Sequence, residues 1–241
     1  MKLIVCKNYE SMSQQACDVV KDHLAKFPDA LISFPGGDTP LGLFRAFVQA
    51  VNNGEVDISR AIYVSLDEWV GLSAEDEGSC GHFNYENLLK PLKKCFAKTY
   101  IIDGIESDIS KLDGFIKTHG PIGVSVLGIG LNGHVGFNEE GSDPTSNAHI
   151  IDLAPTTRQV MKKYFGEKFS PTQGITQGMG QILAAHTVVL IANGAHKAEI
   201  LKKALYGPVT NEVPASLLQN HPNLCVITDK EAGGNLPPIL S

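Results

Sequence analysis

Apolar runs of strand length alternate with segments of helical periodicity along almost the whole chain. The runs predict strands at Leu3–Cys6, Ala30–Phe34, Ala61–Leu66, Thr99–Ile102, Val124–Leu127, His149–Leu153, Thr187–Ala192 and Leu224–Thr228. Apolar spacing of three or four residues predicts helices at Met12–Phe27, from Pro40 onwards, and at Phe83–Leu89, Ile109–Thr118, Thr157–Phe165, Gly180–Ala185 and Ala195–Leu205. This alternation predicts an α/β fold, a Rossmann-like three-layer α/β/α sandwich with a mostly parallel sheet, in which residues 1–241 form a single domain.

The predicted strand Val124–Leu127 ends abruptly in glycines and polar residues. Its loop matches the dinucleotide fingerprint G-x-G-x-x-G, but that fingerprint belongs in the first turn of the fold and opens a helix, whereas here a loop continues. The same loop carries His134 and, five residues later, Glu139. An imidazole oriented by a carboxylate is a competent acid/base at neutral pH, and a solvent-exposed loop histidine is the equally favoured alternative. No second His or Cys stands at ligand spacing, which argues against a metal.

The turn after the second predicted strand has the composition of a phosphate cradle. Gly36, Gly37, Asp38 and Thr39 lie between a strand and a helix that starts near Pro40. Backbone N–H groups beside the positive end of a helix can hold a phosphate, and the Thr39 hydroxyl adds a donor. An ordinary strand-to-helix turn is the alternative, and no Gly-Lys-Ser/Thr follows that would make it a Walker A loop.

Two charged residues follow other predicted strands. Asp67 comes directly after Ala61–Leu66, where it can act as a general base near the glycine turn, although capping of the next turn is the commoner role of such an aspartate. Lys197 lies at the start of the helix after Thr187–Ala192 and can close on an anion at the same sheet edge. Solvation is the ordinary alternative for a helical lysine.

Charge and cysteine content limit the classes of binding partner and the cellular compartment that the sequence predicts. The formal net charge of −6 argues against nucleic acid, but a few N–H groups and one lysine suffice to bind an anionic small molecule. The five cysteines form no CxxC pair, which favours reduced thiols in a cytoplasmic protein. No apolar run approaches the roughly 18 residues that span a membrane. We expect the tail after Asp229 to be loosely held, and the sequence leaves a homo-oligomer open.

Taken together, these motifs resemble the glucosamine-6-phosphate deaminase/isomerase family over roughly residues 2–228. The resemblance rests on FPGGDTPLG (34–42), LDEWVGL (66–72), GIGLNGHVGFNE (128–139), GAHKA (194–198) and GPVTNEVPASLLQNHP (207–222), which occur in this order. It implies an enzyme that converts glucosamine-6-phosphate or galactosamine-6-phosphate into the ketohexose-6-phosphate and ammonia, without cofactor or metal.

The resemblance also implies a role for each matching residue. Asp67 would move a proton between C2 and C1 of the open-chain sugar, and His134 would open the ring by delivering a proton to the ring oxygen. Glu139 and Asn132 would orient and support His134. The 6-phosphate would be held by the glycine turn, with two lysines as countercharges: the residues are Gly36, Gly37, Asp38, Thr39, Lys197 and Lys163. Lys163 stands where many members carry an arginine, and a lysine there lacks the bidentate fork.

Some positions depart from the common pattern. Asn132 stands where some members have Asp, which predicts a less stabilised imidazolium at His134. His149 stands where some members have an arginine linked to allosteric activation, which argues against such regulation here. Residues 67–69, 78–80, 132–134 and 174–178 also resemble the galactosamine-6-phosphate deaminase branch, so the epimer at C4 stays open.

Two other functions compete with this interpretation. A 6-phosphogluconolactonase shares the fold, but members of that family carry Asp-Glu-Arg after the third strand and no Asn-Glu after the glycine loop. Trp69 and Asn138-Glu139 argue against it. A non-catalytic sugar-phosphate sensor usually adds a basic DNA-binding domain and has little need of Asp67 and His134 together. The deaminase remains the favoured function.

Overall fold

The computed structural model describes residues 1–106, 108–165 and 169–237, with side chains given at all of these positions except 161–165. Seven strands form a parallel sheet in the order β1-β10-β9-β6-β2-β3-β5. They span β1 Lys2–Val5, β2 Leu31–Phe34, β3 Ile62–Ser65, β5 Lys98–Tyr100, β6 Ile122–Leu127, β9 Thr187–Ala192 and β10 Leu224–Thr228. The predicted parallel sheet is confirmed, and β9 and β10 have the predicted bounds.

Eight helices accompany the strands within the described ranges. They are α1 Tyr9–Lys26, α2 Leu41–Asn52, α3 Cys80–Asn84, α4 Ile109–His119, α5 Pro155–Phe165, α6 Met179–Leu183, α7 Ala198–Tyr206 and α8 Lys230–Gly233. A π-helical turn, Tyr85–Leu89, continues α3, and 3₁₀ turns lie at Ala195–Lys197 and Pro214–Asn220. None of these helices has the length and apolar character that a membrane crossing requires.

Two apolar layers cover the two faces of the parallel sheet. Alternate residues of β9 divide between them: Val189 and Ile191 pack with α1 and α2, whereas Val188 and Leu190 pack with α4, α6 and α7. This period of two is what a strand buried on both faces requires. The three-layer α/β/α sandwich predicted from the sequence is therefore confirmed.

A second, antiparallel sheet lies beside the carboxyl end of β3. It has the order β4-β8-β7, formed by β4 Asp67–Trp69, β8 Gln173–Thr176 and β7 His149–Asp152. Only Leu66 separates β3 from β4, so the chain leaves the main sheet and enters the small one at Asp67. The sequence pattern did not predict β8, because QGIT is short and carries a glycine.

The carboxyl-terminal tail differs from its prediction. Residues 230–233 form α8, which Asp229 caps through a hydrogen bond from the Ala232 N–H. Ala232 is buried and Leu236 packs against the core. The expectation of a loosely held tail was wrong for residues 230–237, because a capped helical turn brings apolar side chains onto the sheet. All five cysteines are free thiols, as expected.

Candidate active site

Four adjacent strands of the parallel sheet deliver the candidate residues to one cavity. The turn Gly36–Thr39 follows β2, Asp67 follows β3, the loop from Gly128 to His134 follows β6, and Asn193–Lys197 follows β9. Because these strands are parallel neighbours, their carboxyl ends meet at the same edge. The cavity they line has a volume of about 690 Å³.

Asp67 lines the cavity with a side chain that is largely shielded from solvent. Its side chain is buried, and antiparallel pairing of β4 with β8 places it opposite Thr176. Burial raises the pKa of Asp67 to about 7, and the neighbouring His134 and Cys80 act in the opposite direction. A carboxyl group with a pKa near neutrality can both accept and return a proton at working pH, which is what a general acid/base needs.

Glu68 fixes the wall of the cavity beside Asp67. Its fully buried carboxylate accepts backbone N–H bonds from Trp69 (2.7 Å), Cys80 (3.0 Å) and Gly81 (2.7 Å). These bonds join β4 to the first turn of α3. Burial raises the pKa of Glu68 to about 8, against the effect of the three N–H donors. Trp69 packs on Phe137 with ring centroids 4.5 Å apart.

His134 and Glu139 are joined through Asn132. The His134 Nδ1 lies 2.6 Å from the Asn132 Oδ1, and the Asn132 Nδ2 donates to the Glu139 Oε2 at 2.7 Å. The direct distance from His134 Nδ1 to Glu139 Oε2 is longer, 3.5 Å. The loop therefore brings the predicted pair together, but an amide lies between the imidazole and the carboxylate.

The hydrogen bonds among His134, Asn132 and Glu139 determine which ring nitrogen of His134 carries the proton. An amide oxygen can only accept, so the Nδ1 carries the proton and donates it to Asn132. The Nε2 is then the nitrogen that can exchange a proton in the cavity. Burial alone would raise the pKa of Glu139, but the nearby His134 imidazole and the hydrogen bonds from Thr157 and Asn132 hold it at about 2. The carboxylate is thus charged throughout the neutral range.

Two glycines make room for this loop. A side chain at Gly130 would place its Cβ 2.2–2.5 Å from the His134 ring atoms. Gly133 has φ +90°, which residues with a side chain rarely adopt. The glycine pattern that resembles a nucleotide fingerprint therefore serves to pack the imidazole against backbone.

The glycine turn after β2 is braced by the first helix. Gly37 has φ +91°. The Tyr9 hydroxyl accepts the Gly42 N–H at 2.7 Å and lies 3.1 Å from the Thr39 carbonyl oxygen, to which it can donate. Tyr9 is 30 residues away in the chain, and no local pattern indicated this support.

Lys197 enters the cavity from the far side. Its Nζ donates to the Ile129 carbonyl oxygen at 2.6 Å, and burial lowers the pKa of the amine. Of the described residues that line the cavity, it is the one lysine or arginine. Asn193 and His196 line the cavity beside it. Lys163 lies in α5, but its side chain is outside the described residues, so its role stays a prediction.

Several residues of the site were not predicted from the sequence. They are Tyr9, Glu68 as a buried link, Cys80, Thr157, Asn193 and His196. Most of them reach the site through tertiary contacts that no spacing reveals, whereas Asn193 and His196 lie beside Lys197, after β9. Within the described residues, no cluster of three His, Cys, Asp or Glu side chains is arranged to hold a metal ion.

Comparisons with known proteins identify the family of this chain. The family model described as "Glucosamine-6-phosphate isomerases/6-phosphogluconolactonase" matches residues 7–226. A glucosamine-6-phosphate deaminase from Thermoanaerobacter pseudethanolicus is 35% identical over 98% of this chain and 96% of its own length. One from Lachnoclostridium phytofermentans is 37% identical over 94% and 98%, respectively.

Solved structures separate the two branches of this fold. A monomeric glucosamine-6-phosphate deaminase, described as a missing link of the NagB superfamily, superposes with a TM-score of 0.92 at 30% identity, over 97% of this chain and 99% of its own. The 6-phosphogluconolactonase from Trypanosoma brucei reaches a TM-score of 0.77 at 15% identity, with 98% of each chain covered, which shows the shared fold alone. This chain therefore belongs to the glucosamine-6-phosphate isomerase/6-phosphogluconolactonase family.

Proposed function

We propose that the protein is a hexosamine-6-phosphate deaminase. It converts glucosamine-6-phosphate and water into fructose-6-phosphate and ammonia, or galactosamine-6-phosphate and water into tagatose-6-phosphate and ammonia. The observation that carries the proposal is the pairing, in one cavity, of a buried Asp67 with a pKa near 7 and a His134 whose Nδ1 is committed to Asn132. The relatives named above, which are glucosamine-6-phosphate deaminases, support the same reaction.

Ring opening is the step assigned to His134. The sugar binds as a closed ring, and opening moves a proton from the C1 hydroxyl to the ring oxygen while the C1–O5 bond breaks. A neutral imidazole with its proton on Nδ1 can take the hydroxyl proton at Nε2 and return it to the ring oxygen. The charged Glu139, acting through Asn132, stabilises the imidazolium that forms in between.

Isomerisation is the step assigned to Asp67. In the open aldehyde the C2–H is acidified by the carbonyl, so the Asp67 carboxylate takes that proton. The C1 oxygen takes up a proton from the ammonium group at C2 of the same sugar, and an enolamine with a C1 hydroxyl forms. The same carboxyl group returns the proton to C1, which leaves an iminium group at C2. Water adds there, ammonia leaves, and the ketose phosphate remains. One residue with a pKa near neutrality can perform both transfers.

The phosphate anchors the sugar away from the reacting carbons. The backbone N–H groups of Gly36–Thr39, the Thr39 hydroxyl and Lys197 are assigned to it, with Lys163 as a further countercharge. Binding energy from this remote group positions C1 and C2 against His134 and Asp67. No residue in this scheme requires a metal or an organic cofactor.

A direct assay tests the proposal. Purified protein is incubated with glucosamine-6-phosphate, galactosamine-6-phosphate and 6-phosphogluconolactone in parallel, and ammonia or acid release is measured. We expect ammonia from at least one amino sugar, and the preferred epimer follows from the ratio of kcat/KM. Lactone hydrolysis without ammonia would assign the protein to the lactonase branch, and binding without turnover would assign it as a sensor.

Activity should fall in acid with the protonation of Asp67. Burial raises the pKa of this carboxyl to about 7, and only its charged form can accept the C2 proton. We expect kcat/KM to decline about tenfold per pH unit below that pKa and to level off above it. Lys197→Met should keep the same acid limb, because it changes binding and not the base. If kcat/KM instead began to decline only near pH 4, the ordinary pKa of aspartate, Asp67 would not be a desolvated base.

Replacement of Lys197 by methionine should weaken substrate binding. A charge-assisted hydrogen bond to phosphate contributes about 1.5–3 kcal/mol, which corresponds to a rise in KM of about 10- to 100-fold. We expect kcat to change less than KM, because the backbone N–H groups of the glycine turn and the Thr39 hydroxyl remain to position the phosphate. Lys202→Met, on an exposed position of α7, is the matched control. An unchanged KM would remove Lys197 from the phosphate site.

The quaternary state can be measured on the same purified protein. The solved relative is described as monomeric. Sedimentation of the purified protein with and without substrate decides between a monomer and a homo-oligomer.

A further inference from the structure

Thr157 makes a contact that neither the sequence motifs nor the assigned roles include. It lies on α5, and its buried side chain points into the group formed by His134, Asn132 and Glu139. The Thr157 Oγ1 lies 2.5 Å from the Glu139 Oε1 and 3.2 Å from the His134 Nδ1. One hydroxyl therefore touches both the carboxylate and the imidazole.

The direction of these hydrogen bonds follows from the donors present. The Glu139 carboxylate can only accept, so the Thr157 hydroxyl donates its proton to Oε1. The hydroxyl oxygen then offers a lone pair to the protonated Nδ1 of His134. Asn132 makes the equivalent pair of contacts at the other carboxylate oxygen: it donates to the Glu139 Oε2 and accepts from the His134 Nδ1. The carboxylate is thus held at each oxygen by a side chain that also faces the imidazole.

The remaining contact to the Glu139 carboxylate is weaker. The Ala154 N–H donates to Oε1 at 3.3 Å. Without the Thr157 hydroxyl, this buried oxygen would keep one long bond, and the carboxylate could rotate away from Asn132. A buried acceptor that loses its partner is costly, so the group would rearrange.

We propose that Thr157 is a positioning residue, whose hydroxyl holds the Glu139 carboxylate in the orientation from which it supports His134 through Asn132. The inference rests on the proposed function only for its kinetic consequence; the contact itself is independent of the substrate. It assigns α5 a part in the proton chemistry, in addition to the phosphate-binding role predicted for Lys163 on the same helix.

The kinetic test compares Thr157→Val with Thr157→Ser. Valine keeps the shape and removes the hydroxyl, so we expect kcat to fall about tenfold with KM within about twofold. Serine keeps the hydroxyl and should restore kcat to within about threefold of wild type. Thr118→Val is the matched control, because its hydroxyl bonds to the Gly114 carbonyl oxygen on the exposed part of α4. An unchanged kcat in Thr157→Val would overturn the proposal.

A double-mutant cycle separates positioning from general packing. If Thr157 acts through Glu139, the valine substitution should cost no more than about twofold in kcat in a Glu139→Ala background, because no carboxylate is left to hold. A residue that merely supports the fold would cost the same factor in both backgrounds. Equal losses in the two backgrounds would therefore also overturn the proposal.

A measurement without substrate distinguishes failure of this inference from failure of the function. Glu139 has its pKa lowered from 4.5 to about 2, so its hydrogen bonds stabilise the fold fully above pH 4.5 and progressively less as pH falls toward 2. Of the described residues, the titratable group that faces Glu139 is His134, and Asp67 acts on the same imidazole.

The gap in Tm between wild type and Thr157→Val should accordingly be largest above about pH 5 and should narrow toward pH 3. A gap that stays constant with pH would mean that valine changed only the packing, and the inference would fail. If wild type releases no ammonia but the gap narrows as expected, the deaminase assignment fails and the Thr157 contact stands.

Discussion

Asp67→Asn should abolish ammonia release, with kcat reduced by about 10³- to 10⁴-fold. Asparagine has the shape of aspartate and can occupy the same buried position, but its amide cannot accept the C2 proton. Substrate binding should persist, because the phosphate turn and Lys197 are untouched. The same loss should appear in the exchange of the C2 hydrogen with D₂O, followed by NMR.

The stability of this variant gives an independent check. Burial raises the pKa of Asp67 to about 7, so above pH 7 the folded protein bears a charge that would be better solvated in the unfolded chain. Removal of that charge should leave Tm at pH 8 equal to or above that of wild type. Asp22→Asn, at an exposed position of α1, is the matched control and should behave as wild type. A variant that retains a tenth of the wild-type kcat would exclude Asp67 as the base.

His134→Gln should reduce kcat by about 10²- to 10³-fold, for a different reason. Glutamine can hydrogen-bond to Asn132 but cannot carry a proton from the C1 hydroxyl to the ring oxygen. Asp67 is still present, so open-chain sugar that forms spontaneously can react. The residual rate should therefore level off as enzyme concentration rises, because uncatalysed ring opening becomes limiting.

The two variants are thus distinguishable by more than the size of their losses. The rate of Asp67→Asn should stay proportional to enzyme concentration, whereas that of His134→Gln should saturate. His119→Gln, at the end of α4 and outside the cavity, is the control for loss of an imidazole. A His134→Gln variant within threefold of wild-type kcat would remove ring opening from the roles of this residue.

Much of this arrangement could be predicted from local sequence. Continuous apolar runs such as Thr187–Ala192 are long enough to specify strands buried on both faces, and their alternation with helices specifies a parallel sheet. The strand-end positions of Asp67 and His134 then follow, because parallel strands end at one edge. Prediction was poorer where a segment is short, as in β8, or where a capped turn orders the tail.

The internal order of the site could not be predicted in the same way. Spacing indicated a direct His134–Glu139 pair, but the amide of Asn132 lies between them, which only side-chain geometry reveals. Asn132 was expected to stabilise the imidazolium less than an aspartate would, and that stays a prediction; the structure adds that its amide oxygen lies 2.6 Å from the His134 Nδ1. Thr157 comes 18 residues after Glu139 on another element, and only tertiary packing brings its hydroxyl to the carboxylate.

The pairing of β1 with β10 bears on how the chain assembles as it is synthesised. β1 lies at the edge of the sheet, and its partner strand is Leu224–Thr228. β1 therefore finds its partner only after the more than 200 residues between Val5 and Leu224 have been made. Until then β2, β3 and β6 can pair among themselves, and α1 can pack on α2 and β6. Tyr9 lies on α1 and contacts Thr39 and Gly42, so the brace beneath the phosphate turn can form before β10 closes on β1.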